Sequence, residues 1–327
     1  MKLSPLLLSL ACLLSVALAL QPGLDDGEFL VDTSGGHAEE AAVVAFDGTN
    51  FLTAWTDKRS GYDIYGARVT PQGLVLDPSA LVIATAADDR YSPAVAFDGT
   101  NCLVVWTDER SGYDIYGARV SKAGTVLDPD GIDVTVPERF QWASAVGFDG
   151  TNFLVAWEDG RHNSSIYCGR VTQSGLVLDS SGIPVSTAGG WQQFPAVAFD
   201  GTDYLVVWLD DRSGSGCDIY GARVTPAGIV LDAAGIAIST AESFQKYPAL
   251  AFDGTNYLVT WEDDRGSDYD IYGCRVTPQG SVLDPQGIAI STAVDSQVSP
   301  AIAFDGTSFL VVWTDYRSGD YLSLIHI

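Results

Sequence analysis

Residues 195–224 read PAVAFDGTDYLVVWLDDRSGSGCDIYGARV, and close versions of this stretch recur through the chain. Its Phe-Asp-Gly-Thr core begins at Phe46, Phe97, Phe148, Phe199, Phe252 and Phe304, at steps of 51, 51, 51, 53 and 52 residues. Nine residues after each Phe stands a tryptophan that opens a W-x-D-x-R motif. The six motifs are Trp55, Asp57, Arg59; Trp106, Asp108, Arg110; Trp157, Asp159, Arg161; Trp208, Asp210, Arg212; Trp261, Asp263, Arg265; and Trp313, Asp315, Arg317. Five of them are followed by a segment close to Asp-Ile-Tyr-Gly-Ala-Arg-Val. A tandem unit of this length cannot bury its own apolar face, so neighbouring units must stack.

The quoted stretch also gives the shape of the unit. Pro195 to Asp200 is a short apolar strand, closed by Asp200-Gly201-Thr202-Asp203, and Asp-Gly between apolar runs is a hairpin signal. Tyr204 to Asp210 is apolar on both faces, as in a sheet covered on both sides. Asp218 to Val224 is a third strand, Thr225-Pro226-Ala227-Gly228 a turn, and Ile229 to Ser239 a fourth strand broken near Gly235. The fold expected is all-β, a β-propeller of four-stranded antiparallel blades. The six visible blades start near residues 42, 93, 144, 195, 248 and 300, and the sixth is truncated. No helical periodicity competes after the N-terminal segment. The hairpin sets Trp55 opposite Tyr65 as a cross-strand aromatic pair.

The repeat resembles the blades of secreted bacterial propeller-like proteins that carry W-x-D-x-R followed by D-I-Y-x-x-R, over residues 42–321. That resemblance implies fold and export and no single activity. The Ser-x-Asp-x-Gly-x-Thr-Trp box of sialidases, a Gly-His/Trp-Asp pair, the kelch double glycine and a D-x-D-x-D-G calcium loop are all missing from the sequence.

The ends are read separately. Lys2, the apolar run Leu6 to Leu18, and Ala17-Leu18-Ala19 make residues 1–19 a secretory signal cleaved after Ala19, too short and wrongly flanked for a membrane span. Cys12 sits in a poor lipobox, which favours release over lipid anchoring. Residues 20–41 form a lead-in in which Glu28 to Asp32 supplies a strand that closes the last blade. At the other end, Leu322-Ser323-Leu324-Ile325-His326-Ile327 resembles the translation of a transposon-based sequencing adapter. Residues 322–327 are therefore expected to be a non-native tail, and the sixth blade to lack its third strand.

A formal charge of −25, from 42 acids and 17 bases, disfavours nucleic acid and anionic membrane surfaces as partners. Cys102, Cys168, Cys217 and Cys274 do not share a repeat position and read as buried thiols. No zinc pattern is present. No cofactor and no metal site are expected. Calcium is the ion to weigh, because Asp210, Asp211, Asp263, Asp264, Asp268 and Asp270 crowd the loops, but their offsets drift and arginine is interleaved.

Catalysis has little material. After the signal, only His37 and His162 precede the tail, and no acid stands out as belonging to one repeat alone, so no catalytic residue is assigned. A motif present in every blade reads as scaffold, which covers the W-x-D-x-R sets and Asp77, Asp128, Asp179, Asp232 and Asp284. The repeats disagree at Tyr91, Phe140, Trp142, Trp191, Phe194, Phe244 and Tyr247, placed in the loops between blades. Aromatic faces beside carboxylates and amides suit a glycan or a protein segment, although rings there could equally fill gaps between blades. The expected function is a secreted or surface-exposed, non-enzymatic recognition propeller. The rivals are a carbohydrate-active hydrolase working with propeller carboxylates and a structural spacer in a larger surface protein.

Overall fold

The computed structural model describes residues 39–59, 61–136, 139–214 and 216–317, together with the backbone of the strand at 322–326. The signal segment 1–19, His37 and the closing strand expected at residues 28–32 lie outside the described residues.

The described chain is a β-propeller of repeated antiparallel sheets, five of four strands and one of three, each in sequence order across the sheet. The first sheet takes Glu39–Phe46, Phe51–Asp57, Asp63–Val69 and Leu81–Ala84. The second takes Arg90–Phe97, Asn101–Asp108, Asp114–Ser121 and Ile132–Asp133. Gln141–Phe148, Asn152–Asp159, Ser165–Thr172 and Ile183–Ser186 make the third. The fourth and fifth run from Gln192–Phe199 to Ile236–Ser239 and from Gln245–Phe252 to Ile288–Ser291. Two compact units divide the chain, residues 1–155 with 169–181 and residues 156–168 with 182–327, so the third repeat contributes to both. Within each unit the first strands of successive sheets lie side by side.

The second strands are the core. Phe51–Asp57 and Tyr204–Asp210 are buried at every residue, as the apolar character of both their faces demands. The hairpin register follows the sequence: Trp55 pairs with Tyr65, Trp106 with Tyr116, Trp208 with Tyr220 and Trp261 with Tyr272. The turns between first and second strands are built on one carboxylate. Asp47 Oδ1 accepts the amides of Thr49 and Asn50 at 2.7 Å, and Gly48 takes the positive φ of 85° that the turn requires. The same arrangement recurs at Asp98, Asp149, Asp200, Asp253 and Asp305.

The first strands begin three residues earlier than the sequence suggests, at Glu39, Arg90, Gln141, Gln192, Gln245 and Gln297. The cause is a β-bulge. Tyr91 pairs with Thr107 and Ala94 with Val105, which leaves Ser92 and Pro93 opposite the single residue Trp106. The same slip places Phe194 and Pro195 opposite Trp208, and Tyr247 and Pro248 opposite Trp261. A proline looks like the start of a strand because it lacks the ladder N–H. Inside a bulge that N–H is not needed, so the strand runs through it.

In the sixth sheet Leu322–His326 pairs with Phe309–Asp315, with Asp315 against Leu322 and Trp313 against Leu324. The third-strand position is thus filled, in the register that Asp263 and Asp270 hold in the fifth sheet. This differs from the expected gap. Backbone pairing there asks only for an extended segment at the right distance along the hairpin.

Candidate functional site

Two sets of residues meet at one end of each hairpin: the W-x-D-x-R motif, which repeats, and the bulge across from it, which does not. In the motif the carboxylate is the hub. Trp208 Nε1 donates to Asp210 Oδ2 at 2.7 Å, while Arg212 donates through Nη2 to Oδ2 at 2.6 Å and through Nε to Oδ1 at 2.8 Å. The guanidinium then lies over the third-strand Tyr220 ring, 4.0 Å from its centroid. Equivalent rings sit under Arg59, Arg110, Arg161 and Arg265 at 4.1 to 4.3 Å. Burial pushes the carboxyls of Asp57, Asp108, Asp159 and Asp315 up, but the hydrogen bonds from Arg and Trp outweigh it and hold them below the ordinary value.

The acids of the Leu-Asp step are engaged in the same way. Arg68, Arg119, Arg170, Arg223 and Arg275 each clasp Asp77, Asp128, Asp179, Asp232 and Asp284 with two nitrogens. Arg68 and Arg119 also donate to backbone carbonyls one repeat onward, Lys122 and Gln173, which ties neighbouring sheets together.

The carboxylates weighed for calcium are dispersed. Asp210 and Asp263 belong to Trp–Arg hubs, and Asp264 accepts the Phe244 amide at 2.6 Å. Among the described residues no group of three or more His, Cys, Asp or Glu is placed to hold a metal ion. No disulfide joins the four described cysteines. Burial pushes the Cys102 thiol up to about 12. His162 is exposed in a single 3-10 turn, Gly160–His162.

The bulge end is where the sequence-predicted aromatics fall, with a correction. Tyr91, Trp142, Phe194 and Tyr247 are not loop residues; they lie within first strands, at or beside the bulge. Phe140, Trp191 and Phe244 precede those strands and are exposed by 46, 55 and 48 %. Phe194 and Tyr247 hold φ of 52° and 51°, a region bulky side chains seldom enter, with their rings 4.6 Å apart.

Each bulge sits beside the residue that leads into the third strand of the preceding repeat. Arg90 N donates to Tyr62 O, Gln141 N to Tyr113 O, Gln192 N to Ser164 O, Gln245 N to Cys217 O and Gln297 N to Tyr269 O. In the first unit both such junctions are aromatic, and they join into one row. Tyr62 meets Tyr91 at 4.9 Å between centroids, Tyr91 meets Trp142 at 5.4 Å, and Trp142 meets Tyr113 at 5.2 Å. Tyr91, Tyr62 and Trp142 are half-buried, whereas Tyr113 is exposed. Carboxylates rim the row: Tyr91 Oη donates to Asp89 Oδ2 at 2.9 Å, and Tyr113 hydrogen-bonds Glu109. Burial first, then those acids, push the Tyr91 phenol up.

The second unit is different in kind. Glu158 and Glu262 follow Trp157 and Trp261, where the other repeats carry Thr56, Thr107, Leu209 and Thr314. These two acids do break the repeat, contrary to the expectation that none would, and aligning the residue after each Trp would have found them. Glu158 accepts from Ser164 Oγ at 2.7 Å and Gln193 Nε2 at 3.2 Å. Glu262 accepts from the Ser299 amide at 2.6 Å and faces Lys246 Nζ at 3.5 Å. Both are buried, with 5 and 1 % of their surface exposed, and burial raises both carboxyls above the ordinary value. They fasten bulge residues from beneath. Lys246 itself sits 4.0 Å from the Tyr269 ring centroid and 5.3 Å from that of Tyr247. Near the sixth bulge, an open cavity of about 570 Å³ is lined by Asp268, Asp295, Ser296, Val298, Tyr316 and Arg317.

Arg90 is another departure missed in the sequence. It occupies the position of Gln141, Gln192, Gln245 and Gln297, is fully buried, and bridges Asp63 at 3.2 Å and Asp108 at 3.0 Å. It therefore links the first sheet to the second.

No family model matches the chain, and no curated protein sequence matches it. Among solved structures it is similar to a protein of unknown function from Dyadobacter fermentans DSM 18053, with a TM-score of 0.59 at 12% identity over 85% of this chain and 90% of that one. Weaker likenesses, at TM-scores of 0.47 and 0.46, are to TolB from Acinetobacter baumannii (15% identity, 87% and 75% covered) and to an alpha-L-arabinofuranosidase from Lactobacillus brevis (13% identity, 73% and 90% covered). At such identities the likeness is one of fold alone.

Proposed function

We propose that this chain is an exported recognition module that binds a glycan through the half-exposed rings at the bulge end of the first unit. The observation that carries it is the unbroken row Tyr62, Tyr91, Trp142 and Tyr113, spanning three repeats with neighbouring centroids 4.9 to 5.4 Å apart. Neighbouring rings tilted by 32 to 54° and rimmed by carboxylates support stacking of successive sugar rings with hydroxyls turned toward the acids. Phe140, two residues before Trp142, is exposed by 46 %. In the second unit Phe194 and Tyr247 form a ring pair 4.6 Å apart, and Trp191 and Phe244 are exposed. The charged start at Lys2, the apolar run and Ala17-Leu18-Ala19 support export.

The hydrolase alternative has its best acids in Glu158 and Glu262, but both are buried, with one oxygen of each accepting hydrogen bonds from residues at the bulges, which favours a positioning role over contact with substrate. The test is a ring-by-ring series. Tyr91→Ala and Trp142→Ala should each weaken capture on an array of glycans about tenfold, the scale of one aromatic stacking contact, with the thermal midpoint nearly unchanged. Equal loss of binding and of fold, or unchanged capture, would refute the assignment.

A further inference from the structure

We infer that the ring row of the first unit takes a cationic group, so that its glycan is one bearing free amino groups, of the glucosamine-polymer class; this rests on the glycan-binding proposal above.

The second unit contains an internal example of the contact. There Lys246 holds its ammonium 4.0 Å from the Tyr269 centroid and 5.3 Å from that of Tyr247, with Glu262 Oε2 at 3.5 Å. Ring faces are electron-rich and attract a cation, the more so with a carboxylate alongside. The other two described lysines obey the same rule: Lys58 lies 4.8 Å over Tyr62, and Lys122 lies 4.8 Å over Phe97.

Repeat register turns this into a statement about the first unit. Tyr113 occupies the place of Tyr269, one residue before the third strand, and Tyr91 occupies the place of Lys246 in the bulged first strand. The first unit thus keeps the ring, gains Trp142 beside it, and replaces the residue that supplies the ammonium with another ring. Asp89 and Glu109, joined by the Glu109 amide donating to the Asp89 carbonyl at 3.0 Å, put negative charge at the rim. Tyr91 donates to one of these acids and Tyr113 bonds the other, which makes both rings better cation acceptors. Lys58 already supplies an ammonium to the Tyr62 end of the row; the Tyr91, Trp142 and Tyr113 end is the part built to take one from outside. The formal charge of −25 adds long-range attraction for a cation, strongest at low salt. Four rings in a row outnumber what one ammonium needs, and a polymer of amino sugars offers ring faces and charges in alternation.

The experiment is calorimetry on the full chain at pH 6 with three probes: a glucosamine hexamer, the N-acetylglucosamine hexamer, and polylysine. The amino hexamer should bind about tenfold more tightly than the acetylated one at low salt, with the gap closing as salt is raised. Trp142→Ala should weaken binding of both hexamers about tenfold, while Glu109→Gln, checked for an unchanged thermal midpoint, should erase only the preference. Equal affinity for the two hexamers, or binding confined to another neutral glycan, overturns the amino-group inference and leaves glycan recognition standing. Binding of polylysine with neither hexamer assigns the site to basic protein segments and overturns both.

Discussion

Across one rung of each bulged hairpin, two regions of the molecule behave in opposite ways. On the second strand stands a tryptophan that never changes from repeat to repeat. On the first strand, directly opposite, stand two bulge residues, of which the first changes while the second is proline in each case: Ser92 and Pro93 before Trp106, Phe194 and Pro195 before Trp208, Tyr247 and Pro248 before Trp261. On the Trp side the indole N–H donates to the motif carboxylate, which the motif guanidinium also clasps. On the bulge side the backbone leaves the ladder, so its side chains are released from the alternation that buries their neighbours. The repeated motif is tied within its own hairpin, and the varied residue opposite it lies off the ladder.

The contrast can be broken most directly from the Trp side. Trp208 is fully buried, so Trp208→Ala should cost about 3–5 kcal/mol, read as a lower urea midpoint. Tyr91→Ala in the same assay should cost well under half as much, because its ring is half-buried. If the two cost the same, the bulge rings are core and the division fails.

A second test uses two adjacent residues with opposite signs. Burial raises the Asp159 carboxyl, but hydrogen bonds from Arg161 and Trp157 outweigh it and hold it below its ordinary value. Its contribution is therefore fully present at neutral pH and is lost as pH falls below the usual aspartate range toward its own pKa. Asp159→Asn should cost about 2–3 kcal/mol at neutral pH, with the deficit shrinking in acid. Glu158, one residue earlier, is held above its ordinary value, mainly by burial. The folded state keeps a proton that the unfolded chain gives up, so stability falls as pH rises from the ordinary glutamate value through the folded one. Glu158→Gln keeps an acceptor for Ser164 and cannot ionise. It should raise the thermal midpoint at neutral pH by a smaller amount, with no difference from the parent at low pH. A uniform effect of either variant across pH would break the assignment of opposite signs.

Much of the scaffold was legible because its chemistry is local. Asp-Gly-Thr specifies its own turn, and nine residues from Phe to Trp fix the register that sets Trp55 against Tyr65. The bulge was not legible, because its left-handed residues are Ser92, Phe194, Tyr247 and Ser299, none of them glycine, and the prolines after them look like strand starts. Missing the bulge moved Tyr91 and Trp142 into loops and hid their partners Tyr62 and Tyr113, which sit one residue before a strand that looked purely structural. Glu158 and Glu262 were hidden for another reason: each stands next to the motif's own aspartate, and only comparison of the six repeats at that one position separates them.

The smallest effect expected is at the bulge backbone. Tyr247 holds φ at 51°, a conformation costing a bulky residue about 1–3 kcal/mol, while its ring contacts Phe194 and lies near the Lys246 ammonium. Tyr247→Asn removes those contacts but places a residue that tolerates the left-handed region. Strain relief and lost contacts oppose each other, and the net change in stability should stay within about 1 kcal/mol. A large loss would mean that the ring is needed to hold the bulge, and the aromatic pair would then join the Trp–Arg hubs as scaffold. A net gain in stability would mark the strain as stored for presentation, the behaviour expected of a residue placed to meet a ligand.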